Sequence, residues 1–238
     1  MPCFAGQDKN EDLFKEGNYL YSNRQYDIAI SKYNEILGNG YESAALYYNL
    51  GNAYYKAGKM GYSILYFEKA KKLEPKNKEI RNNLLFLQKK VKNVGTLPDL
   101  PLYNAIESIE NAFSMNFLTV LCYIIFVLLL GSISFYIFAG KILFRKISFF
   151  AGIGILVCLI MASSLLVLKY RNNYVLESAI VITNSAQIKF SPDSESRELF
   201  PVYEGERIEI KDQVSGWVKI KAMNGKEGWI RFDLISKI

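Results

Sequence analysis

Histidine is absent from all 238 residues, which removes the usual general base near neutral pH and the commonest metal ligand. Cys3, Cys122 and Cys158 lie far apart, two of them inside apolar runs, and give neither a zinc spacing nor a disulfide framework. They read as structural or incidental. No phosphate loop and no pair of acids at a recognisable spacing is present either, so a non-enzymatic chain without metal or cofactor is expected. The chemistry left is recognition. Amides at Asn18, Asn49, Asn52 and Asn83 accompany the rings of Phe14, Tyr21 and Tyr55, and a second aromatic set comprises Phe190, Tyr203, Trp217 and Trp229. Amides exchange hydrogen bonds with polar backbone, and rings offer apolar contact area at a fixed geometry.

A repeat positions the first set. Shifting the chain by 34 residues superposes Gly17 on Gly51, Asn18 on Asn52, Gln25-Tyr26 on Lys59-Met60, Tyr33 on Phe67 and Glu35 on Lys69. The segment LYYNLGNAYYKAGKMGYSILYFEKAKKLEPKN resembles the tetratricopeptide family, with Leu50-Gly51, Tyr54, Ser63, Phe67, Ala70 and Pro75 at its signature positions. The earlier copy supplies Gly17, Leu20, Ala29, Tyr33 and Ile36 but lacks the terminal proline. Repeats over 10–43 and 44–77 are expected, followed by a capping helix over 78–93 with Ile80, Leu84, Leu87 and Val91 on one face. Gly17 and Gly51 let paired helices approach, Ala29 and Ser63 lie opposite, and Tyr33 and Phe67 fill the space beneath.

The resemblance implies a concave surface built from the first helix of each repeat. It places Phe14, Asn18, Tyr21, Asn49, Asn52 and Tyr55 there, with Asn83 and Lys90 from the cap. Family members that clamp a C-terminal carboxylate carry asparagines at the places of Asn18 and Asn49, but here Phe14, Glu79 and Asn83 occupy the cationic places. Recognition of a peptide or partner through amides and rings is the expectation; the alternative is that the asparagines satisfy turn and helix-end backbone groups.

Two uncharged apolar runs, 117–138 and 147–168, hold 22 residues each, and about 20 suffice to cross a bilayer core as helix. They read as transmembrane helices, because soluble helices of that length normally carry a polar stripe. The loop between them, 139–146, contains Lys141, Arg145 and Lys146, whereas the 20 residues before the first run hold no basic residue. The positive-inside rule places this loop in the cytoplasm and both flanking segments outside, in the periplasm or extracytoplasmic space of an inner membrane. Lys169 and Arg171 weaken the contrast without reversing it. Export then calls for a signal, and Phe4-Ala5-Gly6 before a polar run resembles a cleavage site, so residues 1–9 are expected to hold a signal remnant. Pro98 and Pro101 mark a boundary. Within 94–116, Leu102, Ile106, Ile109 and Phe113 share a face, which suits either an interfacial helix or an extension of the first span.

Of the formal charge of +6, most sits in residues 8–93, with 15 basic and 10 acidic side chains. Lysines scattered on amphipathic helices are ordinarily a solvated face, and no nucleic-acid partner is expected. Residues 175–238 change to short alternating runs separated by turn residues, with Asn224-Gly225 as a two-residue hairpin signal. Their order, an apolar strand, SPDSES, EGERIEI, GWVKI, KEGWI and DLI, resembles the bacterial SH3 family, whose small barrels bind peptides or wall glycopeptides. Phe190, Tyr203, Trp217 and Trp229 would line a groove there, or Trp217 would be the barrel's own filling.

The fold class expected is therefore a multi-domain membrane protein: an all-α tetratricopeptide superhelix, a transmembrane helical hairpin and an all-β SH3-like barrel. That order resembles the BatE-like family of bacterial aerotolerance (Bat) operons. The resemblance implies a periplasmic scaffold linked to stress tolerance, with von Willebrand A-domain membrane proteins and a MoxR-type ATPase system as partners. A peptidoglycan-binding anchor or sensor is the alternative.

Overall fold

The structure, a computed structural model, describes residues 3–91, 113–171 and 177–238, with backbone alone for 3–8. The expected linker and amphipathic stretch lie outside the described residues up to position 112, as do the first two residues of the tail expected to hold a signal remnant.

Five helices open the chain: α1 (Cys3–Ser22), α2 (Tyr26–Gly38), α3 (Ala44–Lys56), α4 (Met60–Leu73) and α5 (Lys78–Gln88). Local caps set several of their ends. Ser43 accepts from the Leu46 N–H at the start of α3, and Asn77 accepts from Glu79 and Ile80 at the start of α5. The glycines pair the helices as the repeat requires. A Cβ on Gly17 would lie 2.5 Å from the Tyr33 ring, and one on Gly51 would lie 3.0 Å from Phe67. The buried Ser63 hydroxyl donates to the Gly51 carbonyl at 2.7 Å, and Ala29 is fully buried. Ile80, Leu84 and Leu87 are buried, so α5 closes the stack along that one face; it ends at Gln88, earlier than expected, and Val91 is buried just beyond it.

The last segment forms seven strands: β1 (Ser178–Val181), β2 (Ser185–Lys189), β3 (Glu198–Tyr203), β4 (Arg207–Val214), β5 (Trp217–Ala222), β6 (Glu227–Arg231) and β7 (Ile235–Lys237). They make one antiparallel sheet in the order β3-β2-β6-β5-β4-β1-β7, with a short 3₁₀ turn, Phe232–Leu234, leading into β7. Alternation sends Val218, Ile220 and Ala222 of β5 inward, where they meet Ile188, Val202, Ile208 and Ile230. The hairpin turn departs from expectation. Of Asn224-Gly225 only Gly225 has positive φ, and the Gly225 N–H donates to Ala222 in a turn longer than two residues. A type I′ turn needs positive φ at both central residues. Ser215 and Gly216, at 46° and 82°, meet that condition and join β4 to β5 where Val214 faces Trp217.

The chain divides into two compact units: the helical stack and the sheet together form one, and the segment around the apolar helices the other. In the second, α6 (Met115–Phe138) and α7 (Ile142–Tyr170) form a hairpin of helices long and apolar enough to cross a membrane, with almost none of their apolar side chains covered. Close packing occurs at small polar residues. The Ser132 hydroxyl donates to the Ser148 carbonyl at 3.0 Å, and Ser148 returns the bond to the Ser132 carbonyl at 2.7 Å. Because α7 begins at Ile142, Lys141 precedes it, whereas Arg145 and Lys146 lie in its opening turns; Arg145 Nε donates to the Ala139 carbonyl at 3.0 Å.

In the first unit, the sheet packs on α4. Along β1, Ala179 and Val181 point into the sheet's own core, and Ile180, on the opposite face, belongs to the core of the helices. Ile238 packs against the same helical core. Glycine on each side makes the approach possible. A Cβ on Gly61 would lie 2.6 Å from the Val181 carbonyl oxygen, and one on Gly205 would lie 2.7 Å from Ile64 and 2.9 Å from Val91. Gly205 also has φ of +84°, a conformation that L side chains rarely adopt. Within a helix, Gly→Ala ordinarily stabilises by about 1 kcal/mol. At Gly61 the sign should reverse, because the methyl meets rigid backbone: we expect Gly61→Ala to cost about 1–3 kcal/mol in urea unfolding of the whole chain in detergent. Gly38→Ala, with no neighbour within 4 Å, is the control; equal behaviour of the two variants would refute the close approach.

Candidate binding surfaces

On the first helices of the repeats, the amides and rings link one helix to the next. Asn18 of α1 accepts at its Oδ1 from the Tyr33 hydroxyl at 2.7 Å and from Asn49 Nδ2 of α3 at 2.8 Å. Burial pushes the Tyr33 phenol up to about 12, so it stays a hydrogen-bond donor. Among the described residues nothing bonds Asn18 Nδ2 or Asn49 Oδ1. The adjoining amides thus leave one donor and one acceptor unused. From α3 to α5 a second link runs from Asn83 Nδ2 to the Tyr48 hydroxyl at 3.2 Å. A third joins Lys90 Nζ to the Tyr55 hydroxyl at 2.9 Å, with the ammonium 4.4 Å from the centre of the Phe86 ring.

The structure therefore brings Asn18 to Asn49, Phe14 to Tyr33, and Tyr55 to Lys90. Tyr21 lies edge-on to Tyr26, and Asn52 is half-buried on α3. Where their partners are described, Asn18, Asn49 and Asn83 bond side chains, not the turn or helix-end backbone groups of the alternative reading. Tyr48 and Phe86 were missed by the sequence reading. Their signal was available: Tyr48, Asn52 and Tyr55 recur at helical spacing on one face of α3, and Phe86 of α5 lies between Asn83 and Lys90, which follows the helix.

On the sheet, Trp217, Lys219 and Lys221 alternate with the buried Val218, Ile220 and Ala222, and Trp229 lies between the buried Gly228 and Ile230. Both tryptophans therefore sit on the outer face, half-buried, with Trp229 directly opposite Lys219 and Trp217 opposite Arg231. Trp217 is not the filling of the sheet's core. Phe190 is exposed beneath the Arg197 guanidinium, and Tyr203 is half-buried at the end of β3. Among the described residues no ring contact joins two of these four aromatics; Trp217 and Trp229 share the outer face of β5 and β6.

The turn from β3 to β4 carries the polar part of the contact with α4. Lys59, at the N-cap of α4, offers no side-chain cap, and the Glu204 carboxylate supplies one from the sheet by accepting from the Gly61 N–H at 2.7 Å. Arg207 approaches the buried Glu68 at 3.8 Å and donates to Ser178 at 3.3 Å. Glu206 has a buried carboxyl oxygen with no hydrogen-bond partner, and loss of solvation pushes its carboxyl up to about 7 against a backbone hydrogen bond from Tyr203 that lowers it.

Comparison with known proteins agrees with this division. The tetratricopeptide repeat family model matches residues 14–78, and the bacterial SH3 domain family model matches residues 184–236. Sperm-associated antigen 1 of Mus musculus is 32% identical over 93 residues, 39% of this chain and 10% of the antigen. Its Rattus norvegicus counterpart is 33% identical over 92 residues, with the same shares. The chain thus spans about one tenth of the length of these curated relatives. Among solved structures, the C-terminal SH3 domain of myosin IB from Entamoeba histolytica is 24% identical, with a TM-score of 0.20, over 26% of this chain and 93% of that one. The chain carries tetratricopeptide repeats and a bacterial SH3 domain, both typically non-catalytic interaction modules.

Glu206 gives this region a pH signature. Its folded-state pKa lies above the ordinary value of 4.5, so the folded form holds the proton more tightly than the unfolded chain. The contribution of Glu206 to stability should be greatest below about pH 4.5, fall as pH rises toward about 7 and level off beyond. We expect Glu206→Gln to flatten that decline in thermal unfolding series; an unchanged slope would show that Glu206 is not its source.

Proposed function

We propose that the chain is a membrane-anchored, non-enzymatic scaffold of the BatE-like type, holding protein partners in a Bat-type complex linked to stress tolerance. The carrying observation is the Asn18–Asn49 pair, whose unused donor and acceptor match the carbonyl and N–H of an extended backbone. Phe14, Tyr21, Asn52, Tyr55 and Asn83 extend the same surface. The partners in this reading are von Willebrand A-domain membrane proteins, with a MoxR-type ATPase system associated with them. Helices α6 and α7 are the anchor, spanning the inner membrane twice with Lys141, Arg145 and Lys146 on the cytoplasmic side and both binding modules outside.

A second reading has its own support. The outward Trp217 and Trp229 suit stacking on a sugar or a peptide, which would make the sheet a peptidoglycan-binding anchor or sensor. The two readings separate on the whole chain. In the first, Asn49→Ala with Asn52→Ala removes hydrogen bonds worth about 1 kcal/mol each and weakens binding of the von Willebrand A-domain partner roughly thirtyfold, read as lost co-purification, while the Asn18–Tyr33 bond is kept. Full retention of that partner, together with pelleting on purified peptidoglycan that Trp217→Ala and Trp229→Ala abolish, would decide for the second.

Sidedness has a separate check. In a background with Cys3, Cys122 and Cys158 replaced by serine, Tyr41→Cys and Asn224→Cys should both react with a membrane-impermeant thiol reagent in cells whose outer layers have been made permeable. Reaction at only one site would break the double-span arrangement.

A further inference from the structure

Ion pairing is distributed unevenly over the first compact unit. Around the first repeat the lysines have acid partners: Lys9 with Glu35, Lys15 with Glu11, Lys32 with Glu16 and Lys59 with Asp27. On the sheet, Lys189, Lys211, Lys219, Arg231 and Lys237 likewise each have one. Between these regions, Lys71, Lys76, Lys78, Arg81 and Lys89 have no carboxylate within ion-pair reach among the described residues. Nearby, Lys72 donates to the Ile238 main-chain oxygen at 3.3 Å, and Lys90 lies over rings. Of the acids of this stretch, Glu74 is engaged by Asn77 and Glu68 faces Arg207, while Glu79, in the first turn of α5, is an exposed carboxylate set against these cations.

Helix α5 sorts these residues by face. Ile80, Leu84 and Leu87 point into the stack, and Asn83, Phe86 and Lys90 point toward the partner surface. Lys78, Arg81, Leu85 and Lys89 recur at steps of three or four on the remaining side, opposite the buried face. Leu85, 56% exposed, sits among the cations, and Leu73, 50% exposed, ends α4 beside Lys71 and Lys72. An exposed leucine among cations on the α5 stripe, with a second ending α4 beside two more, is the pattern of a surface that lies against a bilayer, apolar groups entering the headgroup boundary while the charges meet phosphates.

We propose that the outer stripe of α5, with the end of α4, is a docking surface for anionic phospholipid in the membrane that anchors the chain. The proposal rests on the reading of α6 and α7 as membrane spans. Docking would hold the scaffold against the bilayer while leaving its amide-and-ring surface, on another side of α5, uncovered for partners. The sites carrying it are separate from those of the partner surface.

The test uses the whole chain, free of native cysteine as above, with Leu85→Cys carrying an environment-sensitive fluorophore. It is reconstituted in vesicles of phosphatidylcholine alone or of phosphatidylcholine with phosphatidylglycerol. The expected result is a blue shift only with phosphatidylglycerol, lost at high salt, and absent from a label at Tyr41→Cys. Lys78→Gln, Arg81→Gln and Lys89→Gln should each weaken the lipid response on the order of fivefold, with unchanged circular dichroism. Flotation with pure phosphatidylcholine vesicles reports the anchor independently. Flotation without a lipid-dependent shift overturns the docking surface and keeps the anchor; flotation in neither composition overturns both. A shift produced by soluble polyglutamate but not by phosphatidylglycerol would identify an acidic polypeptide as the ligand and overturn the lipid proposal.

Discussion

The contact of α4 with the β1 edge and the β3–β4 turn is the constraint on which the first compact unit depends. Groups more than a hundred residues apart in the chain meet there: on one side Gly61, whose missing side chain admits the Val181 carbonyl; on the other the adjacent Glu204, which caps the helix, and Gly205, whose positive φ bends the turn against Ile64 and Val91. An α4 without its sheet would keep uncapped N–H groups at its first turn and would expose the site that Ile180 fills. Two repeats bury little area alone, and such stacks ordinarily need about three units. Helix α5 supplies part of the third, and the sheet covers a further part of α4.

That arrangement divides the helical stack between two uses. The second helix of the second repeat faces the sheet, while the first helices, α1 and α3, with α5 present Asn18, Asn49, Asn83 and the rings around them. Neither surface has to be vacated for the other to be filled. On the sheet the same separation holds, since the turn at Glu204–Gly205 meets α4 whereas Trp217 and Trp229 lie on β5 and β6. A scaffold gains from such rigidity, because fixing the relative placement of binding surfaces before partners arrive removes part of the ordering entropy of assembly.

Much of each module was legible in the sequence, because its signals are local. The 34-residue period, the Gly17–Tyr33 and Gly51–Phe67 fits, and the apolar face of α5 all follow from spacing within a few turns. The contact between modules was not, since it depends on pairs such as Gly61 with Glu204, and neither residue breaks a local pattern. Turn chemistry misled in one place for a physical reason. Asn-Gly is the stronger two-residue signal, yet the positive φ pair falls at Ser215-Gly216, where the pairing of Val214 with Trp217 fixes the register. Arg24 shows the reverse case: it holds φ of 62° at the place where the second repeat has Gly58 at 78°, so the fold imposed on Arg24 a conformation its sequence does not favour. The tryptophans could not be sorted from composition alone, because alternation assigns them to a face only once the register of β5 and β6 is known.

The order of segments adds a topological consequence. The compact unit of helices and sheet is discontinuous in sequence, with the apolar hairpin inserted between its two parts. If α6 and α7 cross a bilayer, the chain must return to the side it left, since the sheet has to reach α4. A single crossing, or one helix lying flat beside a crossing partner, would strand Ile180, Glu204 and Gly205 across the membrane from Gly61 and Ile64. The reciprocal Ser132–Ser148 bonds fit that requirement: they satisfy both hydroxyls within the hairpin, where no water would be available to do so, and hold the outgoing helix to the returning one near their turn. Pairing of the two spans and docking of the two modules are thus one condition imposed at different points along the chain.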